Sequence, residues 1–238
     1  ELAGGGVIEL AVGAHGDDRR GVDSGAVWSL VLRADGSVKS QHKIAATGSS
    51  AAARADNRFG SSLAAIGDFD GNGTPDLAAG SPGVDPGQAF RPGGAVELLL
   101  LQPDGHVLER RRIEPYQGAG LGGRFGEALT STDLDKDGIV DLIVGNPGVY
   151  SDFYESTPAV VFILLAADGR PKRNEIAEWG GMTEPRPDGR SDDFAAGLAI
   201  LGDVDGDGVE DLALGAPSRL SGATGKAMLL YLSYCGTF

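Results

Sequence analysis

Apolar residues in this chain come in runs of about five to eight, divided by glycine, proline and aspartate. No stretch keeps the three-to-four-residue spacing of an amphipathic helix, so the pattern predicts short strands. Residues 62–66 and 76–80 form two brief runs, and residues 94–101 (GAVELLLL) form a run long enough for a buried strand. Pro103-Asp104-Gly105 follows, and then residues 107–113. Asp-Gly between two strand-like runs marks a tight hairpin, because the turn needs a positive φ. The same turn recurs as Ala34-Asp35-Gly36 and Ala167-Asp168-Gly169. Each unit thus reads as four strands, first to fourth in chain order. Residues 47–57 and 178–193 read as loops between units.

The units repeat. Phe-Gly, an apolar run, an aspartate-rich loop, a second apolar run and Gly-x-Pro return in residues 59–83, 125–148 and 194–218. A degenerate copy occupies residues 1–16. The first loop position falls at Glu1, Asp68, Asp133 and Asp203, an interval of roughly 65–70 residues. Four-stranded units repeated at a steady period predict an all-β fold of β-propeller blades. Their expected spans are about 1–46, 58–114, 124–178 and 193–238, within a single propeller segment covering 1–238. The third strands align as VWSLVLRADG, VELLLLQPDG, VVFILLAADG and AMLLYLSYCG. Cys235 stands where the other units place the turn aspartate. The expected tally is therefore three strands, four, four and three, with the first and last blades incomplete. Both ends carry second and third strands, so they cannot merge into one closing blade. We expect a segment of a larger ring, completed by further sequence or another chain; a four-bladed ring is the alternative. The chain starts inside a repeat without Met, as a piece of a longer polypeptide would.

The loops carry the chemistry. In the first full copy, side-chain oxygens stand at positions one, three, five and nine: Asp68, Asp70, Asn72 and Asp76. Gly73 at position six allows a sharp turn, and Thr74 at position seven can offer its backbone carbonyl. The second copy places Asp133, Asp135, Asp137, Ile139 and Asp141 at the corresponding positions, with Gly138 at the turn. The third places Asp203, Asp205, Asp207, Val209 and Asp211, with Gly208 at the turn. Alternate residues of a curled loop point inward, so these oxygens converge on one centre. An all-oxygen, carboxylate-rich shell suits Ca²⁺ better than Mg²⁺, which demands a stricter octahedron. The competing explanation is an acidic turn without an ion, but three copies in register favour calcium. An EF-hand would need a Glu at position twelve and flanking helices. Position twelve holds Ala79, Val144 and Leu214, each inside an apolar run. In the opening copy, Glu1, Ala3 and Gly5 occupy ligand positions and only Glu9 keeps the final acid, so that loop is expected to hold no ion.

Phe59-Gly60, the aspartate loop and Gly80-Ser81-Pro82 resemble the FG-GAP repeat of integrin α-subunit propellers. Phe125-Gly126 with Gly145-Asn146-Pro147, and Gly215-Ala216-Pro217, share the resemblance. Phe194 departs from it, being followed by Ala195, and the first copy ends Gly13-Ala14-His15. The resemblance implies a β-propeller of the seven-bladed type, calcium in the loop between the first two strands of a blade, and a place outside the cell or at its surface. It also implies a role in adhesion or ligand binding, with a protein partner or the rest of the same propeller.

Composition narrows the field. The net charge is −14, which argues against nucleic acid as a partner. The carboxylates of the three loops make up most of that excess. No run approaches the ~18–20 apolar residues of a membrane span, so this segment is not expected to insert directly into a membrane. Cys235 is alone and cannot form an internal disulfide. His15, His42 and His106 are scattered without ligand spacing. Nucleophile-elbow, metalloprotease and phosphate-loop motifs are absent. Arg110-Arg111-Arg112 could contact an acidic partner, but such a run is more often a solvated strand edge. Asn72-Gly73-Thr74 is formally a glycosylation sequon, but Asn72 is already an expected ligand. Asp17, Asp18 and Asp152 follow second strands on loops that could form a binding face, and their spacing fits simple solvation equally well.

The expected function is a non-catalytic, calcium-stabilised propeller module of an extracellular or cell-surface protein, serving adhesion, protein–protein interaction or assembly. The alternative is a carbohydrate-binding module attached to an extracellular hydrolase, with glycans as partners. Trp28 and Trp179 do not recur at the repeat period, which weakens it. An enzyme using one calcium or an acid pair has least support, because each acid already has a place in a loop.

Overall fold

A computed structural model describes residues 8–47, 56–84, 93–114, 123–148, 150–151, 154–155, 159–177, 194–217 and 225–233. Among these residues there are sixteen strands and no helix. In chain order they are β1 (Ile8–Ala14), β2 (Ala26–Leu32), β3 (Val38–Ala45), β4 (Leu63–Gly67), β5 (Asp76–Ser81), β6 (Ala95–Leu101), β7 (Val107–Ile113) and β8 (Ala128–Thr132). Then come β9 (Asp141–Asn146), β10 (Tyr150–Ser151), β11 (Tyr154–Glu155), β12 (Ala159–Leu165), β13 (Pro171–Ala177), β14 (Gly197–Gly202), β15 (Asp211–Ala216) and β16 (Lys226–Leu230). They form four antiparallel blades in the orders β1-β2-β3, β4-β5-β6-β7, β8-β9-β12-β13 and β14-β15-β16, plus a two-stranded ribbon β10-β11. The three, four, four, three pattern expected from the third-strand alignment is what the described residues show. The ribbon was not anticipated.

Hairpin turns join the third and fourth strands as the Asp-Gly cue requires. Gly36, Gly105 and Gly169 have φ of 82°, 85° and 75°. The preceding aspartate closes each turn by accepting a backbone N–H two residues on: Asp35 from Ser37 (2.9 Å), Asp104 from His106 (3.0 Å) and Asp168 from Arg170 (3.0 Å).

Alternation along the inner strands distributes side chains to two neighbours at once. Leu77, Ala79, Leu99 and Leu101 face blade one, packing with Val27, Ile44 and Phe59. Ala78, Val96 and Leu98 face blade three, packing with Leu129, Leu142, Val144 and Val161. Blade four meets blade three through Ile143, Val160, Leu212 and Leu214. The second and third strands of the middle blades are therefore apolar on both faces, and β5, β6 and β9 are buried along their whole length. Blades one and four are covered on one side only, among the described residues. Leu10, Leu229 and Tyr231 are accordingly about half exposed.

Phe-Gly and the second-strand glycine have one joint explanation. Phe59, Phe125 and Phe194 are each buried in the seam with the preceding blade. The backbone just after each Phe presses against a glycine of a second strand. A Cβ on Gly13 would collide with the Gly60 carbonyl oxygen, one on Gly80 with that of Gly126, and one on Gly145 with that of Ala195. Within its own blade each Phe-Gly segment is held to the second strand, by hydrogen bonds from Gly60 N to Gly80 O (2.9 Å) and from Gly126 N to Gly145 O (3.1 Å), and the Ser62 hydroxyl donates across the seam to Gly126 O (2.7 Å). Gly60 and Gly126 take φ of 84° and 88°, and Ala195 is held at 60° in the same role.

Gly80→Ala and Gly145→Ala are expected to destabilise the fold by about 2–3 kcal/mol each, because the added methyl meets backbone that cannot yield. Urea unfolding checks this; midpoints within error of wild type would remove the close-approach explanation.

Candidate metal centres

The three aspartate loops lie between the first and second strands of blades two, three and four, and they fold alike. The position-one acid accepts the N–H of the position-six glycine: Asp68 from Gly73 (2.8 Å), Asp133 from Gly138 (2.9 Å) and Asp203 from Gly208 (2.9 Å). The position-five side chain accepts the N–H of position seven: Asn72 from Thr74 (2.8 Å), Asp137 from Ile139 (2.9 Å) and Asp207 from Val209 (2.8 Å). Position six has φ of 87°, 87° and 90° at Gly73, Gly138 and Gly208. Position four also lies in the left-handed region, at Gly71 (74°), Lys136 (59°) and Gly206 (83°), a second requirement that the sequence reading missed.

The position-nine acid plays a different part. Asp76, Asp141 and Asp211 are buried, and each uses both oxygens. One accepts the position-two N–H, from Phe69 (2.8 Å), Leu134 (2.9 Å) and Val204 (2.8 Å). The other accepts an N–H at the end of the third strand or just beyond it, from Leu101 (2.7 Å), Leu165 (2.8 Å) and Leu232 (2.9 Å). Each therefore staples its loop to the blade. Burial raises the Asp76 and Asp141 carboxyls above the usual range, although the two backbone N–H donors oppose it.

These bonds gather carboxylates. One oxygen from each of Asp68, Asp70 and Asp76 lies within 4.8 Å of the others, and the same holds for Asp133, Asp135 and Asp141, and for Asp203, Asp205 and Asp211. Asp137 and Asp207 lie outside these groups, and the Asn72 amide donates to Asp70 (3.0 Å) and to the Leu101 carbonyl (2.8 Å). The side chains of Thr74 and Val209 turn into the fold, and Ile139 packs against the seam of blades two and three. Position twelve lies on second strands, as expected, with Ala79, Val144 and Leu214 in the seams. Asp133 Oδ1 and Asp135 Oδ1 are buried without a hydrogen-bond partner. Converging hard oxygen donors with orphaned acceptors fit a hard divalent cation. In the opening copy, residues 1–7 lie outside the described residues; Glu9 is half-buried, and burial raises its carboxyl.

One lysine enters this chemistry from a distance. Lys172 on β13 donates to Asp135 (3.0 Å) and to Asp137. The Asp137 bond chiefly pushes its ammonium up to about 12 and holds the Asp137 carboxyl below its usual range.

Other candidates fare variously. Arg110 is not a solvated edge: it pairs with buried Glu97 (3.1 Å), donates to the Ala45 carbonyl (2.9 Å) and covers the Phe59 ring, clamping blade two to blade one. Arg111 and Arg112 pair with Glu109 and Glu114 (2.8 and 2.9 Å). Asp17 is paired with Lys43, and Asp18 accepts the Asp23 N–H (2.9 Å), so both brace their own loop. Trp28 lies under the Lys43 ammonium (5.8 Å). His42 and His106, far apart in sequence, bring their rings to 4.0 Å across blades one and two. Nothing in their spacing could have shown this, because it depends on the blade seam. Asp152, Trp179 and Cys235 lie outside the described residues.

The FG-GAP repeat family matches residues 59–96, 125–161 and 194–227, each match spanning one aspartate loop. Integrin alpha-PS2 of Drosophila melanogaster is 33% identical over 181 residues, 74% of this chain and 12% of that protein. Integrin alpha-3 of Mus musculus is 35% identical over 125 residues, 52% of this chain and 11% of that protein. Integrin alpha-6 of Gallus gallus is 32% identical over 126 residues, with the same two shares. The matched segment thus spans about a tenth of the length of these relatives. Seam phenylalanines, close-approach glycines and stapled aspartate loops recur at the matched positions, and the chain carries three FG-GAP repeats set in the blades of an integrin α-like propeller.

Proposed function

We propose that residues 1–238 are a non-catalytic, calcium-stabilised propeller segment of an extracellular or cell-surface protein, serving adhesion, protein–protein interaction or assembly. One observation carries the calcium part: three successive blades gather three carboxylates within 4.8 Å at the same place. Such clusters repel themselves unless a cation neutralises them. The ligands of each site come from Asp68, Asp70, Asn72, Asp76 and the Thr74 carbonyl; from Asp133, Asp135, Asp137, Asp141 and the Ile139 carbonyl; and from Asp203, Asp205, Asp207, Asp211 and the Val209 carbonyl. Calcium supplies charge neutralisation and cross-linking there, not reaction chemistry. Millimolar calcium outside cells would saturate even modest sites of this type. Likeness to integrin α chains supports a surface location and a protein partner. The engagement of the loop aspartates in folding their own loops supports a role without catalysis.

Calorimetric titration of chelator-stripped protein is expected to show three calcium ions bound per chain. Calcium at about 100-fold over Kd adds about 2.7 kcal/mol per site, or roughly 5 °C or more in Tm. No binding heat together with an unchanged Tm would refute the calcium part.

Ligand and staple are separable. Asp68→Asn keeps an oxygen for the Gly73 N–H, so it should abolish calcium binding at the first site with less than about 1 kcal/mol lost in chelator. Asp76→Asn cannot accept from both Phe69 and Leu101, so it should cost about 2–3 kcal/mol even in chelator. Chelator-state Tm values in the reverse order would contradict the two roles.

A further inference from the structure

The three loops are not electrically equivalent. The first carries Asp68, Asp70 and Asp76, with the neutral Asn72 at position five. The second and third place Asp137 and Asp207 there, so each gains a fourth carboxylate. In the first loop the Asn72 amide donates to Asp70 and to the third strand. An aspartate cannot donate. In the second loop the donor comes from elsewhere: Lys172 reaches back from the fourth strand to Asp135 (3.0 Å) and Asp137. Counting from the hairpin turn, blade two has Leu108 at the corresponding place, and that side chain points to solvent. Among the described residues, no lysine or arginine is bonded to Asp203, Asp205 or Asp207 of the third loop.

Lys172 contacts particular oxygens. It bonds Oδ2 of Asp135 and Oδ2 of Asp137, while Oδ1 of Asp133 and Oδ1 of Asp135 remain buried and unpartnered. Lys172 and Asp137 are exposed residues and Asp135 is half-buried, and the three side chains shield one another to about 25–32% accessibility.

We propose that Lys172 is a tethered counter-ion of the middle loop. It neutralises one of the loop's four carboxylates in addition to the loop's own Lys136, keeps the loop folded without an ion, and makes this site the least calcium-dependent of the three. The proposal rests on the calcium assignment above. An isolated exposed ion pair contributes little. One ammonium bridging two members of a four-carboxylate cluster also relieves their mutual repulsion. A dication on the inner oxygens relieves the same repulsion and repels the ammonium. Lysine and calcium therefore partly replace one another, and each weakens the benefit of the other. A lysine paired only at the rim would leave calcium binding untouched.

The test is Lys172→Met, which keeps the length of the side chain and removes the charge, with Lys172→Gln as a polar neutral partner and Lys172→Arg as the charge-retaining control. Each is titrated with calcium chloride at fixed ionic strength and melted in chelator and in saturating calcium. In the Met and Gln variants one of the three sites should bind roughly tenfold more tightly. Their Tm should fall in chelator and recover most of that loss in calcium, while Arg behaves as wild type. Neutral variants with wild-type affinities and the same calcium-induced Tm rise would overturn the proposal, even if both melts shifted down together. Wild-type protein that binds no calcium would instead overturn the calcium assignment, and the antagonism with it.

Discussion

Backbone meets backbone between blades, and that contact sets the terms for the rest. Gly80 and Gly145 leave no room for a side chain against the carbonyls of Gly126 and Ala195. Because the sheets approach so closely there, Phe125 and Phe194 reach into the preceding seam, and the second strands of the middle blades are walled by apolar neighbours on both faces. Ala195 shows the constraint under load. It keeps a left-handed conformation that glycine adopts at no steric cost, at about 1–2 kcal/mol, because the seam fixes the backbone there.

The aspartate loops extend the same order outward. Each starts from a strand set by a seam and is returned to its blade by a buried acid with two backbone donors. The loop's shape is therefore written mostly in hydrogen bonds, and a cation would be received by a frame already in place. One aspartate-rich motif thus carries two jobs. Positions one and three present oxygen to the centre. Position nine offers an oxygen there as well, while both of its oxygens also hold the chain.

Much of this was readable from residues alone. The strand order, the Asp-Gly hairpins, the loop positions and the exclusion of an EF-hand all follow from local spacing, because turns and ligand loops are local structures. What escaped was non-local. The stapling role of Asp76 needs the third strand, 25 residues on, to lie beside the loop. Arg110 reads as an edge charge until blade one supplies the Ala45 carbonyl and Phe59 closes over it. Lys172 lies more than thirty residues from the acids it bridges, at a strand position where blade two has leucine. Lys136 hid the left-handed turn at position four, since glycine marks it in the other two loops.

The seams are unequal in extent. Among the described residues, fully covered ones are most numerous between blades two and three and fewest between blades three and four. In a row of units that touch only their neighbours, stability is a sum over adjacent pairs rather than a property of the whole. Opening should thus begin at the thin seam, with amides of β14 to β16 exchanging for deuterium while those of β5 and β9 stay protected.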